Sequence, residues 1–579
     1  MAMSYSDSNT LSVHPNFLFQ GTMESSLSLS SEAFGGSASN SSSSSSLVNL
    51  HANSESSTSL ASSSSPSPSP KMDCLNTQTA SERQDCPLIL VTRNEIFGRY
   101  IIAKQDIPAG TTIVSECPAA YGPDGDGCEG YEIPLCLSCC MIMNDDNEDI
   151  RCSTCKWPVC SKECELSLMH AENECKFFSE RNILFPPDVQ IATCYKGIQI
   201  LRGFLLQSKH PEKWHELMQL QDWTELCCKN RDFPDLDKFR RDVLGLPDET
   251  SAAFWNKILG IFSVNSFSFM MKCETEDRSP SFGEFVFLTT SLFSHSCAPN
   301  ANWAIGCSPD FQMRVRATVD IKKGEMISVP YTYDHMNYGT YGRVIRQQSF
   351  NCKCNRCLDP TELGTYNSVI KCYKCQQGLV LPLNPVDVKS EWKCKHCLSI
   401  FPGDLVNLFV EALADEVENC DCVEDLENFV LMHRDKTLHS NHWVLNLASN
   451  SILSYQAHCL NTLSREQLER FLWHCFYVLD ILDVLAPGSS LFRGNVLLLI
   501  SRALLTKTEL SIREGHLSDK ALIVEQMKVV YSYQKAAFQF WADDHSYRPQ
   551  NETYGPEAKD LLKEMSRVKN QYLSEIGDL

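Results

Sequence analysis

The residues SLFSHSCAPN, Ser291–Asn300, carry the strongest structural signal in this chain. Downstream of them come Tyr331 and three closely spaced cysteines, Cys352, Cys354 and Cys357. A tetrahedral zinc site needs four ligands, so three cysteines cannot close one. Cys297 is the candidate for the fourth ligand. The pattern therefore predicts a zinc site that ties residues 291–300 to residues 352–357.

A second set of metal-ligand residues lies upstream, between residues 136 and 175. Close pairs let a short chain present two ligands at a time, and eight ligands suffice for two closed zinc sites. The pairs are Cys136 and Cys139, Cys152 and Cys155, Cys160 and Cys164, and His170 and Cys175. Cys140 is an additional cysteine that could replace Cys139 in register.

A third set has the spacing of a zinc ribbon and consists of Cys372, Cys375, Cys394 and Cys397. Glycine and proline residues between its two pairs supply turns. The three sets together predict about four zinc ions, each with four ligands.

The composition of the chain indicates the cellular compartment and the kind of partner to expect. The 579 residues include 29 cysteines, and 51 basic against 72 acidic residues give a formal charge of −21. The first residues are polar and lack the pattern of a secretory signal, and the most apolar run is interrupted by Arg502, so no membrane association is expected. Thiolates on metal, in the cytoplasm and nucleus, are therefore expected rather than disulfides. The acidic balance argues against sequence-specific nucleic-acid binding and suits a lysine-rich partner.

The chain begins with a serine-rich leader. Residues 1–85 are predicted to be disordered, because runs such as SSSSPSPSP at residues 62–70 lack apolar side chains that could offset the loss of conformational entropy. A phosphoregulated segment is the alternative, since Ser65, Ser67 and Ser69 each precede a proline. Short strands are predicted at residues 88–93 and 99–104.

A short motif, A-x-x-D-I-x-x-G-x-x-I, occurs at residues 103–113 and again at residues 317–327. Each copy places a glycine between two β-rich runs, which predicts a hairpin. The two copies suggest one β-domain whose halves are separated by an insertion. That insertion includes a helical stretch with apolar residues from Trp214 to Trp223.

From about residue 401 the chain is predicted to be helical to its end. Ser464-Arg465-Glu466-Gln467 has the form of a capping box, and an apolar stripe from Leu468 to Leu482 follows it. Pro487-Gly488 is the predicted stop.

Several segments resemble known protein modules. Residues 291–300 resemble the signature of the SET domain, and Phe97–Tyr100, Asn265–Phe267 and Gly324–Tyr331 resemble its other conserved segments. The cysteine set at 136–175 is similar to the MYND finger, in which alternate pairs share a metal and the last pair is commonly His-x3-Cys. With the ribbon and with residues 438–442 and 487–494, the chain resembles the arthropod branch of the SET and MYND domain-containing (SMYD) family.

The resemblance implies an α+β multidomain fold in which a MYND finger splits a β-rich SET domain. A post-SET zinc site, a zinc ribbon and an all-α tetratricopeptide-like domain follow. The implied boundaries are a leader (1–85), the N-terminal part of the SET domain (86–135), the MYND finger (136–175), a helical insertion (176–255), the C-terminal part of the SET domain (256–350), the post-SET site and ribbon (351–400) and the helical domain (401–579).

The resemblance also implies the reaction. Family members use S-adenosylmethionine to methylate lysine in histone or non-histone proteins, with a role in transcription. Tyr331 and His295 would be catalytic here. The implied cofactor pocket would be lined by Gly98, Arg99, Asn265, Ser291, Phe293, Ser294, His295 and Phe350. A monomer is expected, with proline-rich peptides as partners of the MYND finger.

Three positions depart from the family pattern. Ser294 replaces an asparagine, Tyr100 replaces a glycine, and Gln348 replaces a second active-site tyrosine of many members. The alternative interpretation is therefore a weakly active or inactive SET and MYND scaffold that binds peptides or transcriptional partners. A DNA-binding zinc protein is disfavoured by the acidic balance.

Overall fold

A computed structural model of the chain describes residues 86–124, 134–143, 150–229, 233–271, 281–306, 308, 310–332, 338–346, 350–543 and 555–574. The predicted leader, residues 1–85, lies outside the described residues.

The described strands are short and fall into small sheets that are mostly antiparallel. Order along the chain gives β1 (Ile89–Asn94), β2 (Gly98–Ala103), β3 (Thr112–Glu116), β4 (Ala120–Pro123), β5 (Ser266–Met271), β6 (Ser281–Val286), β7 (Ser294–His295), β8 (Ala301–Ile305), β9 (Met313–Ala317), β10 (Ser328–Val329), β11 (Ile370–Lys371), β12 (Leu379–Pro382), β13 (Trp392–Cys394) and β14 (Ile400–Phe401). The strands predicted at 88–93 and 99–104 are confirmed to within one residue as β1 and β2, which pair with each other.

Residues on both sides of the insertion build the β-sheets together. One sheet has the strand order β3-β9-β8, a second has β4-β6-β5, and β7 lies parallel to β10. Each of the first two sheets therefore joins a strand before the insertion to strands after it. One hydrophobic core extends from these sheets into the inserted segment.

The prediction that each copy of the repeated motif forms its own hairpin is wrong. The copies pair with each other instead: Ile107 and Ile321 exchange backbone hydrogen bonds of 2.8 and 2.9 Å. Asp106 accepts the N–H of Lys323 at 2.9 Å, and Asp320 accepts the N–H of Ala109 at 2.8 Å. Each aspartate thus fixes the glycine turn of the opposite copy. The local sequence is the same for a hairpin and for this exchange, so the pattern alone could not separate them.

Helices fill the insertion and the C-terminal half. In order they are α1 (Lys162–Leu166), α2 (Leu168–His170), α3 (Lys176–Arg181), α4 (Ile191–Lys209), α5 (Pro211–Leu217), α6 (Thr224–Cys227), α7 (Phe233–Lys238), α8 (Glu249–Asn265), α9 (Thr340–Arg346), α10 (Asn355–Leu358), α11 (Gly403–Glu418), α12 (Val423–His433), α13 (Trp443–Gln456), α14 (Arg465–Leu485), α15 (Leu491–Arg513), α16 (Lys520–Asp543) and α17 (Pro556–Tyr572). No described helix combines the length and the apolar character needed to cross a membrane.

The helix expected through Trp214 and Trp223 is shorter than its apolar spacing suggested. Helix α5 ends at Leu217, and a turn follows. The N–H of Trp223 then donates to the carbonyl of Gly260 at 3.2 Å, so that contact with α8 redirects the chain.

The C-terminal half is helical as predicted. The strands β11–β14 form one antiparallel sheet, the ribbon, and each helix from α12 to α17 packs against the next. Helix α14 begins with the predicted capping box of Ser464 and Gln467 and ends just before Pro487. The architecture is thus an α+β multidomain fold, as the sequence predicted.

Candidate active site

The backbone that leads to Tyr331 is held by two side chains. Asn300 donates to the carbonyl of Met326 at 2.9 Å and accepts the N–H of Ser328 at 2.8 Å. The indole N–H of Trp303 donates to the carbonyl of Pro330 at 2.7 Å. Tyr331 therefore follows a strand whose position is fixed by residues 300–303. Asn300 is the last residue of the signature-like segment 291–300, but the sequence alone indicated no role for it.

The Tyr331 hydroxyl points into the protein. It donates to the carbonyl of Phe293 over 2.6 Å. The residue as a whole is 41% exposed, yet burial of its hydroxyl raises the pKa of Tyr331 to about 12. The hydroxyl is therefore neutral at physiological pH and can orient a polar group, while it is a poor base.

His295 connects Tyr331 to a cysteine cluster. Its Nδ1 accepts the backbone N–H of Tyr331 at 3.0 Å, so the ring proton is assigned to Nε2. That Nε2 lies 3.2 Å from the Sγ atom of Cys297. The rings of His295, Tyr331 and Phe350 lie 5.2–5.5 Å apart, centroid to centroid. The structure thus gathers three of the predicted site residues into one aromatic group.

The other predicted cofactor residues meet near residues 219–221. Asn265 donates its side-chain amide to the carbonyls of Gln221 and Ile261, both at 2.8 Å. The Arg99 guanidinium, next to Gly98, donates to the carbonyl of Gln219. The Ser291 hydroxyl lies 3.4 Å from the carbonyl of Asn265. Residues 291–293 therefore link this group to the aromatic group around Tyr331.

A buried carboxylate that sequence reasoning missed shapes the turn before Ser291. Glu116, at the end of β3, accepts the backbone N–H groups of Thr289 and Thr290 at 3.0 and 2.5 Å and the Thr290 hydroxyl at 2.6 Å. Its side chain therefore fixes the start of the 3₁₀ turn at Thr290–Leu292. Long-range pairing of β4 with β6, beside Glu116 in sequence, brings it there, so no local pattern could identify it.

The three departures from the family pattern have different surroundings. Ser294 is buried in β7. Tyr100 lies in β2, where its ring contacts that of Phe97 at 5.8 Å between centroids. Gln348 lies outside the described residues.

All sixteen predicted metal ligands fall into four groups of four. Within each group the ligand atoms lie within 4.8 Å of one another. The groups are Cys136, Cys139, Cys160 and Cys164; Cys152, Cys155, His170 and Cys175; Cys297, Cys352, Cys354 and Cys357; and Cys372, Cys375, Cys394 and Cys397. Alternate pairs share a site in the first two groups, as in a MYND finger.

One backbone feature recurs at the Cys-x2-Cys pairs. The residue after the second cysteine is left-handed at Cys140 (φ 59°), Lys156 (φ 67°), Gln376 (φ 56°) and Leu398 (φ 60°). At the first three, its N–H donates to the carbonyl of the pair's first cysteine over 2.7–3.0 Å. Cys140 is thus the turn residue, and Cys139 is the ligand that the structure places in the cluster.

The extra residue between His170 and Cys175 lies in a kinked helical turn, Ala171–Cys175, where Asn173 departs from helical geometry (φ −101°, ψ −107°). This kinked turn accommodates the added residue. It leaves the Nε2 atom of His170 3.7 Å from the Sγ atom of Cys155. The Nδ1 atom lies 2.8 Å from Glu174, which also pairs with the buried Arg202. A carboxylate behind a histidine ligand fixes the ring orientation.

The group of Cys297, Cys352, Cys354 and Cys357 also has a buried carboxylate behind it. Glu362 accepts from Arg343 at 2.8 Å and from Arg356 at 2.9 Å, and Arg356 donates to the carbonyl of Cys297 at 3.0 Å. Burial alone would raise the pKa of Glu362, but the two guanidinium groups outweigh it and hold the pKa at about 2. Four thiolates around a divalent ion leave a negative cluster, so the two arginines offset its charge.

These donor sets fit zinc. Structural zinc sites typically have four thiolate ligands, or three thiolates and one imidazole, supplied in part by Cys-x2-Cys pairs. Three of the four groups are largely buried, and the fourth lies in the ribbon with Cys397 exposed. The sites suit a structural role rather than a catalytic one, since protein ligands fill all four positions.

Comparison with known proteins gives the class. A family model described as the SET domain matches residues 98–332. The chain is therefore a SET-domain protein. It is 25% identical over 374 residues to isoform B of the SET domain-containing protein SmydA-8 of Drosophila melanogaster. The aligned region covers 62% of this chain and 78% of the relative. Against isoform A the identity is 26% over 372 residues, 60% and 74% of the two chains. These matches support membership of the SET and MYND domain-containing family.

Proposed function

We propose that this protein is an S-adenosylmethionine-dependent protein-lysine N-methyltransferase that acts on histone or non-histone lysines and regulates transcription. The position of Tyr331 carries the proposal. Its hydroxyl lies against the carbonyl of Phe293, at the end of the strand held by Asn300 and Trp303. A hydroxyl oxygen beside a carbonyl oxygen offers two acceptors to the N–H groups of a substrate amine.

The surroundings fit the methyl donor. S-Adenosylmethionine, when bound, supplies an electrophilic methyl group on a sulfonium cation. Aromatic faces attract such a cation, and His295, Tyr331 and Phe350 form an aromatic group. The residues that would hold it are these rings with Phe293, Ser294, Ser291, Asn265, Arg99 and Gly98.

The chain's own residues would do three things. The Tyr331 hydroxyl and the Phe293 carbonyl would orient the lysine nitrogen, since alignment supplies much of the rate of a methyl transfer. The packed rings would exclude water. A poorly hydrated site beside a positive charge would lower the pKa of the lysine amine from about 10.4 and favour its neutral, nucleophilic form.

One observation favours the second candidate, a peptide-binding scaffold with little activity. The amide hydrogens of Asn265 and the guanidinium of Arg99 are already donated to backbone carbonyls of Gln221, Ile261 and Gln219. A scaffold would use the MYND module and the helical domain to bind proline-rich peptides or transcriptional partners.

One experiment separates the two candidates. Zinc-loaded protein is incubated with labelled S-adenosylmethionine and a panel of histones and cell lysate, and methylated lysines are mapped by mass spectrometry. Cofactor binding is measured on the same sample. Methylated lysines would support the enzyme, and the absence of both cofactor binding and methylation would favour the scaffold.

A further inference from the structure

A cavity of about 160 Å³ opens between α9, the ribbon strand β13, α11 and the start of α13. Tyr338, Tyr341, Trp392 and Trp443 contribute to its lining. The rings of Tyr338 and Trp443 lie 5.5 Å apart at 53°. Sites for drug-sized ligands usually span about 300–1,000 Å³, so this volume suits one long side chain. Among the described residues, Tyr331, His295 and Phe350 do not line it.

One face of α11 forms the opposite wall. Val410 and Ala414 are buried, while Glu411, Asp415 and Glu418 are exposed. These positions recur at three- and four-residue spacing, so they form a single stripe along the helix. Apolar groups therefore form the floor of the cavity, and carboxylates form its rim.

The rim carries unbalanced negative charge. Within the described part of the chain, Asp415 and Glu418 have no ion-pair partner. Among the described lining residues Arg346 is the one cation, and its guanidinium lies over the ring of Tyr338 at 4.0 Å from the centroid. One arginine faces three carboxylates, so the cavity favours a further positive charge. The stacking of Arg346 also shows that this aromatic wall accepts a cation.

We propose that this cavity binds the cationic side chain of a lysine or arginine in a basic peptide segment of a partner protein. Long basic side chains place an alkyl stem on apolar surface and keep the charged end in a polar setting. Here the stem would lie along Trp392 and Trp443, and the charge would lie near Asp415 and Glu418. The site is separate from Tyr331, so binding requires neither the methyl donor nor methyl transfer.

Peptide affinity tests the charged rim. The probes are a fluorescent octapeptide of alternating glycine and lysine, its arginine counterpart, and a counterpart with every lysine acetylated. Anisotropy with the zinc-loaded full chain at about 50 mM salt keeps screening moderate. Asp415→Asn/Glu418→Gln should weaken binding of the lysine or arginine peptide about fivefold, since an exposed ion pair contributes up to about that factor and the variant removes two carboxylates.

Two comparisons make the test specific. The matched control is Glu416→Gln/Glu424→Gln, which removes the same charge from exposed positions outside the cavity and should change affinity less than about twofold. Equal losses in the two double variants would mean general attraction to an acidic surface and would overturn the proposal. Equal binding of the acetylated peptide would overturn it as well.

Location is read independently with 5-fluorotryptophan protein. The ¹⁹F resonances of Trp392 and Trp443, assigned with single Trp→Phe variants, should shift on titration with the basic peptide and saturate at the affinity found by anisotropy. Tyr331→Phe should leave this titration unchanged, which separates the cavity from the active site. Unshifted resonances at saturating peptide would overturn the assignment.

Discussion

The backbone N–H of Tyr331 donates to the Nδ1 atom of His295 over 3.0 Å. The same imidazole presents Nε2 to the thiol sulfur of Cys297 at 3.2 Å. The candidate catalytic tyrosine is therefore two contacts away from a zinc-ligand residue, and a change at the metal cluster has a direct path to the active site.

Replacement of Tyr331 by phenylalanine should abolish most methyl transfer. The ring keeps its packing against His295 and Phe350, but the hydroxyl that would orient the amine is lost. A positioned hydrogen bond in a dry site contributes about 3 kcal/mol, or about a hundredfold in rate. Methyl transfer and cofactor affinity are measured together, with Tyr373→Phe, at a 72% exposed ribbon position, as the control. Full activity in Tyr331→Phe with cofactor bound would exclude Tyr331 from the mechanism.

About four zinc ions per chain are expected by elemental analysis after a chelator wash, because the four ligand groups each close at four. Cys297→Ser should release one ion and lower the melting temperature, since metal binding and folding are coupled. The matched control is Cys140→Ser, a buried cysteine outside the clusters, which should retain all the zinc. Two ions or fewer in wild type, or full metal in Cys297→Ser, would contradict the ligand assignments.

Acid should erase the stability that Glu362 provides. Its folded pKa of about 2 lies below the ordinary value of 4.5, so its contribution is complete above pH 4.5 and disappears as the pH falls towards 2. At neutral pH, Glu362→Gln should cost about 3–5 kcal/mol, because it leaves two buried arginines without their carboxylate. The difference in unfolding free energy between wild type and variant is measured from pH 7 to pH 3. A difference that does not shrink below pH 4.5 would refute the linkage.

The two glycine turns of the repeated motif should respond alike to substitution. Gly110 and Gly324 have φ values of 80° and 83°, which an alanine adopts only with strain. Gly110→Ala and Gly324→Ala should each destabilise the protein by about 1–2 kcal/mol in denaturant unfolding. Stabilisation by either change would show that the turn relaxes at no cost.

Removal of the serine-rich leader should leave folding unchanged. A chain that starts at Cys86 is expected to melt at the temperature of the full chain, because the leader's composition offers little apolar surface to bury. Calorimetry of both chains at equal zinc loading checks this. A drop of several degrees would mean that the leader packs on the folded part.

The ligand sets could be predicted from the sequence because zinc ligands occur in pairs only a few residues apart. A Cys-x2-Cys turn and the capping box of α14 each depend on residues that are close in sequence. Both could therefore be predicted from the sequence. Pairing of the post-SET cysteines with Cys297 also followed, because three ligands leave one position to fill.

The supporting contacts could not be predicted in this way. Glu116 reaches Thr290, and Glu362 reaches Arg343, through tertiary packing that their neighbours in sequence do not encode. The prediction of two separate hairpins failed for the same reason, because a hairpin and a pairing between the two motifs use identical local residues. The turn after Leu217 was set by contact with α8 rather than by apolar spacing.

The backbone pairing of Ile107 with Ile321 also determines the order in which the chain can fold during translation. At about 5–20 residues per second, Ile321 emerges about 10–40 s after Ile107, so the first motif waits that long for its partner. The inserted module is complete once Cys175 has been made and can capture its metal during the wait. We therefore expect zinc supply during translation to determine how much of the nascent chain reaches the native state. Starvation for zinc would expose the unpaired first half to aggregation before the second half arrives.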